Sequence, residues 1–166
     1  MKNKNFSLKI PVMILALGFM AVWSLPAQTD SRLNGRWSGV VLEGMDSELT
    51  MNNGNYEVAN NGVSDTRGTY TTNNGQLTMK PTHVFGGAVN EAAGFSMLES
   101  KWYTTSEFVT AIRTVFLGLG LPEEVINEVV QLMTSPPSSS YSINANTLTL
   151  SYIIDGESIE VTYTKR

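Results

Sequence analysis

The tripeptide Asn-Asn-Gly occurs three times in a short stretch of the chain, at residues 52–54, 60–62 and 73–75. A type I′ turn requires positive φ at both central residues, and Asn followed by Gly tolerates that conformation best. Alternating apolar and polar residues flank the copies, which is the pattern of strands with one buried face. Consecutive tight hairpins of this kind predict an up-and-down antiparallel sheet.

The same alternation returns near the C-terminus and predicts a mainly β fold of about eight strands. The predicted strands are 36–42, 48–51, 56–59, 66–72, 76–81, 141–143, 148–154 and 159–163. Val63, Ser64 and Asp65 follow the second Asn-Asn-Gly, which favours a connection longer than two residues at that point. We expect the sheet to close into an up-and-down antiparallel barrel, because closure removes its exposed edges.

The middle of the chain changes to helical spacing. Thr104 and Glu107 form a capping-box pattern, and apolar residues then recur at intervals of three and four. Pro122 suits the first turn of a second helix, which runs to about residue 134. The sequence therefore predicts a two-helix hairpin, at about residues 104–134, inserted into the barrel. The Gly- and Ala-rich segment 82–100 gives no assignment.

The N-terminus has the pattern of a secretory signal peptide. Lys2, Lys4 and Lys9 precede an apolar run at residues 10–22, and small residues allow cleavage after Ala27. An uncleaved anchor is the alternative, although the apolar run is short for a membrane span. We expect residues 1–27 to be removed and residues 28–166 to form one exported domain, periplasmic or extracellular.

Charge and cysteine content limit the function classes. The net charge of the full sequence is −4. Removal of the signal peptide would also remove three lysines and leave the remaining chain more acidic. An acidic surface argues against nucleic acid and anionic membranes as partners. No membrane span is expected after signal cleavage, and Asn, Thr and Glu at outward strand positions disfavour a transmembrane barrel. Without cysteine, stability has to come from the core rather than from disulfides.

The start of the first strand resembles a known family. Residues 33–37 read Leu-Asn-Gly-Arg-Trp, similar to the Gly-x-Trp signature of lipocalins and related calycins. Gly68-Thr69-Tyr70 and Leu148-Thr149-Leu150 resemble strand patterns of bacterial lipocalin-like domains. The resemblance implies that Gly35 and Trp37 are structural. It also implies that Trp37 closes one end of the barrel and that Lys165 or Arg166 packs on it.

The chain also departs from that family. It lacks the Thr-Asp-Tyr loop signature, and its predicted helices precede the final strands, whereas the usual family helix follows the last strand. The resemblance therefore implies a barrel that binds a small apolar molecule, without a specific ligand.

No residue pattern indicates catalysis, a metal or a cofactor. His83 is the only histidine, and without cysteine no zinc-ligand spacing surrounds it. No nucleophile elbow, phosphate loop or dinucleotide fingerprint occurs. Glu123 and Glu124 fit the acidic first turn of a helix better than a catalytic pair. We expect a protein that is not an enzyme.

Two functions remain open because a barrel of this size can be hollow or solid. The first is an exported binding protein for a small hydrophobic ligand, with the helical insert covering the barrel mouth. The second is a packed barrel that acts as a protein-interaction or inhibitor module. Candidate cavity and gate residues are Tyr56, Tyr70, Met79, Trp102, Phe108, Ile112, Phe116 and Tyr152. Trp37, Tyr141 and Tyr163 are also expected to point inward.

Overall fold

A computed structural model of the chain describes residues 28–41, 44–134, 139–154 and 157–166. The predicted signal peptide at 1–27 lies outside these residues, as do residue 42 of the predicted first strand and residues 43, 135–138 and 155–156. The predictions that concern those segments remain predictions.

The described residues form one antiparallel sheet, in which eight strands close a barrel as predicted. The strands are β1 (Gly35–Val40), β2 (Asp46–Asn52), β3 (Asn55–Asn60), β4 (Val63–Asn73), β5 (Gln76–Phe85), β6 (Trp102–Thr104), β7 (Ser139–Asn144), β8 (Thr147–Ile154) and β9 (Glu157–Lys165). Strands β1 to β5 follow in order, β5 pairs with β7, and β9 returns to β1. Strand β6 is additional and pairs only with the end of β5.

All three Asn-Asn-Gly copies form two-residue turns with positive φ at Asn and at Gly, as at Asn53 (45°) and Gly54 (85°). The prediction of a longer connection at the second Asn-Asn-Gly is wrong, because β3 ends at Asn60 and β4 begins at Val63. The extra residue lies inside β4 instead. Ala59 pairs with Ser64 whereas Val58 pairs with Thr66, which leaves Asp65 in a β-bulge.

The insertion between β5 and β7 is larger than the predicted helical hairpin. It contains α1 (Gly86–Ala93), strand β6, α2 (Thr105–Gly118) and α3 (Glu123–Thr134). The predicted capping box at the start of α2 is confirmed, since Thr104 and Glu107 bond each other's backbone N–H groups. Helix α1 lies in the unassigned Gly- and Ala-rich segment. No helix in the described ranges is long and apolar enough to cross a membrane.

The buried residues form two separate cores. The barrel core fills the inside of the eight strands and includes Trp37, Tyr70 and Leu148. The second core lies within the insertion, where Phe108, Ile112 and Ile126 pack on one another and on Val84 of β5. The insertion therefore contributes an apolar core of its own.

One end of the barrel is closed around Trp37, which is fully buried. Its indole N–H donates a 2.7 Å hydrogen bond to the carbonyl of Leu33, in the 3₁₀ turn that precedes β1. The Lys165 ammonium lies 4.8 Å from the centre of the indole ring and also donates to the carbonyl of Arg32. This is the arrangement that the Gly-x-Trp resemblance implies, with Lys165 as the basic residue.

Candidate ligand-binding cavity

A cavity of about 40 Å³ lies inside the barrel, away from Trp37. Its walls come from Val41 and Met45, which follow β1 and precede β2, and from strands β2, β3, β4, β5, β8 and β9. The lining residues are Val41, Met45, Ser47, Leu49, Tyr56, Val58, Asn60, Thr66, Met79, Pro81, Leu150, Tyr152, Val161 and Tyr163. A water molecule needs roughly 10–15 Å³ on this scale, so the cavity holds about three waters or a small organic group.

The cavity wall is mostly apolar, with hydroxyl groups placed in it. Tyr56 is 4% exposed, and its hydroxyl has no hydrogen-bond partner among the described residues. Burial and the nearby Asp65 carboxyl raise the pKa of Tyr56, so the hydroxyl stays neutral. An unsatisfied buried hydroxyl costs roughly 1–3 kcal/mol. The oxygen has almost no accessible surface, so a molecule in the cavity can bond this hydroxyl only if the Tyr56 side chain shifts.

The β-bulge places a carboxyl group beside the cavity. Asp65 is 3% exposed; it accepts a 2.7 Å hydrogen bond from the amide of Asn60 and a longer one from the hydroxyl of Thr66. Both of those partners line the cavity. Burial raises the pKa of Asp65 to about 7, and the hydrogen bonds from Asn60 and Thr66 oppose that rise only in part.

A second polar pair lies on the wall formed by β2 and β9. The hydroxyls of Ser47 and Tyr163 are 3.4 Å apart, and both residues are buried. Burial raises the pKa of Tyr163, and it raises that of Tyr152 well above the ordinary tyrosine value. These groups therefore offer neutral hydroxyls to the cavity at physiological pH.

Three of the predicted ligand contacts, Tyr56, Met79 and Tyr152, line this cavity. Tyr70 is buried in the barrel core but belongs to the closed end, where its hydroxyl donates to the side chain of Asn34. Tyr141, which was expected to point inward, is partly buried and packs against the barrel core, and its hydroxyl donates to Asp30.

The predicted gate residues lie in the insertion rather than in the cavity wall. Phe108, Ile112 and Phe116 are buried in the second core. Trp102 is only partly buried; its ring lies 5.4 Å from that of Phe85 and 4.5 Å from the guanidinium of Arg67. Pairing places Trp102 and Phe85 on the outer face of the sheet. Tyr103 and Val84 of the second core lie on the opposite face, because Val84 pairs with the cavity-lining Thr66.

The polar residues at the cavity were missed by sequence reasoning. Ser47, Asn60 and Thr66 look like ordinary polar positions of strands, and Asp65 looks like part of a loop. A signal was present, because one residue too many separates Asn61-Gly62 from the inward position of Thr66. An extra residue in an alternating pattern indicates a bulge, and bulges re-aim side chains.

The remaining ionisable candidates have structural positions. His83 lies in β5 rather than in a loop, and its ring is 3.0 Å from the hydroxyl of Thr82. Glu123 and Glu124 occupy the first turn of α3, where the helix dipole favours acids. Within the described residues, no three His, Asp or Glu side chains are grouped so that they could hold a metal ion.

No protein-family model, curated protein or solved structure matches this chain. Its likeness to calycins therefore consists of the closed antiparallel barrel and the Trp37 end. Arguments about function rest on the chemistry of the cavity itself.

Proposed function

We propose that this protein is an exported, lipocalin-like binding barrel, and that its site is the cavity at the end opposite Trp37. The observation that carries the proposal is the apolar cavity inside the barrel, whose wall also includes the hydroxyl-bearing residues Ser47, Tyr56 and Tyr163. Ligand pockets typically combine apolar walls with a few polar groups that fix orientation.

The size of the cavity narrows the expected ligand. Drug-sized ligands need roughly 300–1,000 Å³, far more than the cavity of about 40 Å³ provides. The barrel as it stands takes a hydroxyl-sized group and a few carbon atoms. A longer apolar ligand would insert one end beside Tyr56 and leave the rest outside the cavity.

A series of primary alcohols tests this proposal. Ethanol, 1-butanol and 1-hexanol are titrated into the ¹⁵N-labelled chain from residue 28 onward, and amide shifts at Ser47, Tyr56 and Thr66 are followed. Each methylene group that becomes buried contributes about 0.8 kcal/mol, or roughly a fourfold gain in affinity. We expect the gain to stop once the chain outgrows the cavity, so the plateau measures its depth.

Two variants separate cavity binding from surface binding. Val58 lines the cavity, and Val58→Phe fills it with a larger side chain. Val40 is 60% exposed on the same barrel, so Val40→Phe is the matched control. Binding that is lost in the first variant and kept in the second supports the proposal. Equal binding in both, or no amide shifts with any alcohol, refutes it.

The small cavity also favours a second candidate function, a packed barrel that contacts another protein. The insertion supplies apolar surface for this, because Leu117 and Leu119 are 56% and 57% exposed near the end of α2. If this function is correct, a double Leu→Glu change at these two positions abolishes complex formation with a purified partner and leaves alcohol binding unchanged.

A further inference from the structure

The charged and polar groups around the cavity specify the head group that it accepts. The described lining residues include no Lys, Arg or His. The buried carboxyl of Asp65 bonds two of the lining side chains, Asn60 and Thr66. Among the described residues, the site therefore has a buried acid behind its wall and no cationic side chain in the wall itself.

A buried carboxyl of this kind acts against anionic ligands. A carboxylate that enters the cavity loses its hydration, and a buried charge is tolerated only when it is paired or well hydrogen-bonded. Here its nearest ionisable neighbour carries the same charge when ionised, and like charges close together in a barrel interior repel strongly. Fatty-acid head groups are therefore disfavoured by both effects.

An ammonium group is favoured in this cavity, because its charge is opposite to that of the Asp65 carboxylate. It donates three hydrogen bonds, and Ser47, Asn60 and Thr66 in the cavity wall carry side-chain oxygens that can accept them. The carboxyl of Asp65 is hydrogen-bonded to Asn60 and Thr66, which line the cavity, so it also acts electrostatically on a cation bound beside them. The apolar wall formed by Val58, Met79 and Leu150 accommodates the carbon atoms next to the nitrogen.

We infer that the cavity selects alkyl ligands with an ammonium or hydroxyl head group and rejects those with a carboxylate, and that Asp65 is the residue that sets this selectivity. The inference rests on the proposed function, since it concerns the same cavity. It adds the chemical class of the ligand, which neither the fold nor the Tyr56 hydroxyl specifies.

Three probes with the same chain length test the inference: 1-butanol, n-butylammonium and butyrate, titrated at one pH and ionic strength. In the unchanged protein we expect butylammonium and butanol to bind at least tenfold more tightly than butyrate. The Asp65→Asn variant should reduce the preference for butylammonium over butyrate by tenfold or more. Asp46→Asn, which removes an exposed acid from β2, should leave that preference unchanged.

The possible outcomes separate the two proposals. If none of the probes shifts the cavity amides, both the proposed function and the inference fail. If butanol binds but butyrate binds as tightly as butylammonium, only the inference fails. Should Asp65→Asn not fold, as judged by circular dichroism, the charge series on the unchanged protein still decides the selectivity. Equal changes in Asp65→Asn and Asp46→Asn would overturn the role assigned to Asp65.

Discussion

From the buried carboxyl of Asp65 we predict how the stability of the protein changes with pH. Its pKa is about 7 in the folded protein and 3.8 in an unperturbed chain. Between these values the folded protein holds a proton that the unfolded chain has already released. The free energy of unfolding therefore falls as the pH rises, by about 1.4 kcal/mol per pH unit for this one group.

The full effect of Asp65 is on the order of 4 kcal/mol, reached above about pH 7. Asp65→Asn removes the ionisation, and its carboxamide oxygen is placed to accept the hydrogen bond of Asn60. We expect this variant to match the unchanged protein near pH 4 and to be more stable by up to about 4 kcal/mol at pH 8. Urea unfolding followed by circular dichroism at four or five pH values measures the difference.

Other acidic residues with shifted pKa values affect stability in a different pH range, so they do not interfere with this measurement. The hydrogen bond from Arg32 lowers the pKa of Asp30 to about 2, so its contribution is present above about pH 4 and is lost below that. The hydrogen bond from Lys101 lowers the pKa of Glu99, which therefore also acts at the acid end. If the free energy of unfolding has the same pH dependence in the unchanged protein and in Asp65→Asn between pH 4 and 8, the argument is refuted.

Three further predictions concern packing. Trp37→Ala should lower the free energy of unfolding by about 3–5 kcal/mol in urea melts, because the indole is fully buried; an unchanged midpoint would contradict the closed-end arrangement. Gly39→Ala should destabilise the barrel, because a Cβ at this position would collide with the backbone of β9, whereas Gly118→Ala has free space and should be neutral or stabilising. Tyr56→Phe should leave the free energy of unfolding unchanged or raise it, because the Tyr56 hydroxyl is unpaired. Tyr70→Phe loses a hydrogen bond and should lower the free energy of unfolding by about 1 kcal/mol. A larger loss for Tyr56→Phe than for Tyr70→Phe would show that the Tyr56 hydroxyl is satisfied.

The strands could be predicted from sequence because turn chemistry and alternation are local properties. Asn followed by Gly specifies a turn within two residues, and the C-terminal strands alternate over their whole length. The capping box at Thr104 is local in the same sense. These features are determined by residues within a few positions of one another, so one sequence is sufficient to identify them.

Features that depend on distant partners could not be predicted. Helix α1 begins with two glycines and has no side-chain hydrogen bond at its N-cap. Its residue Asn90 bonds the backbone of Met97 and Leu98 and so holds the following loop. Strand β6 is only three residues long and exists because it pairs with the end of β5. The cavity volume depends on how side chains from opposite strands fit together, and no local pattern encodes that.

The two ends of the barrel differ in a way that supports a functional role for the cavity end. At the closed end, Trp37 is hydrogen-bonded and covered by Lys165. At the other end, an unpartnered hydroxyl, a buried carboxyl and a bulge lie together around a cavity. Each of these features reduces stability, and departures from favourable local structure tend to concentrate at functional sites. A barrel that served only as a packed scaffold would gain stability from an apolar residue in place of Asp65 and from Phe in place of Tyr56. The cost of keeping both polar groups is physically reasonable if a ligand in the cavity bonds them.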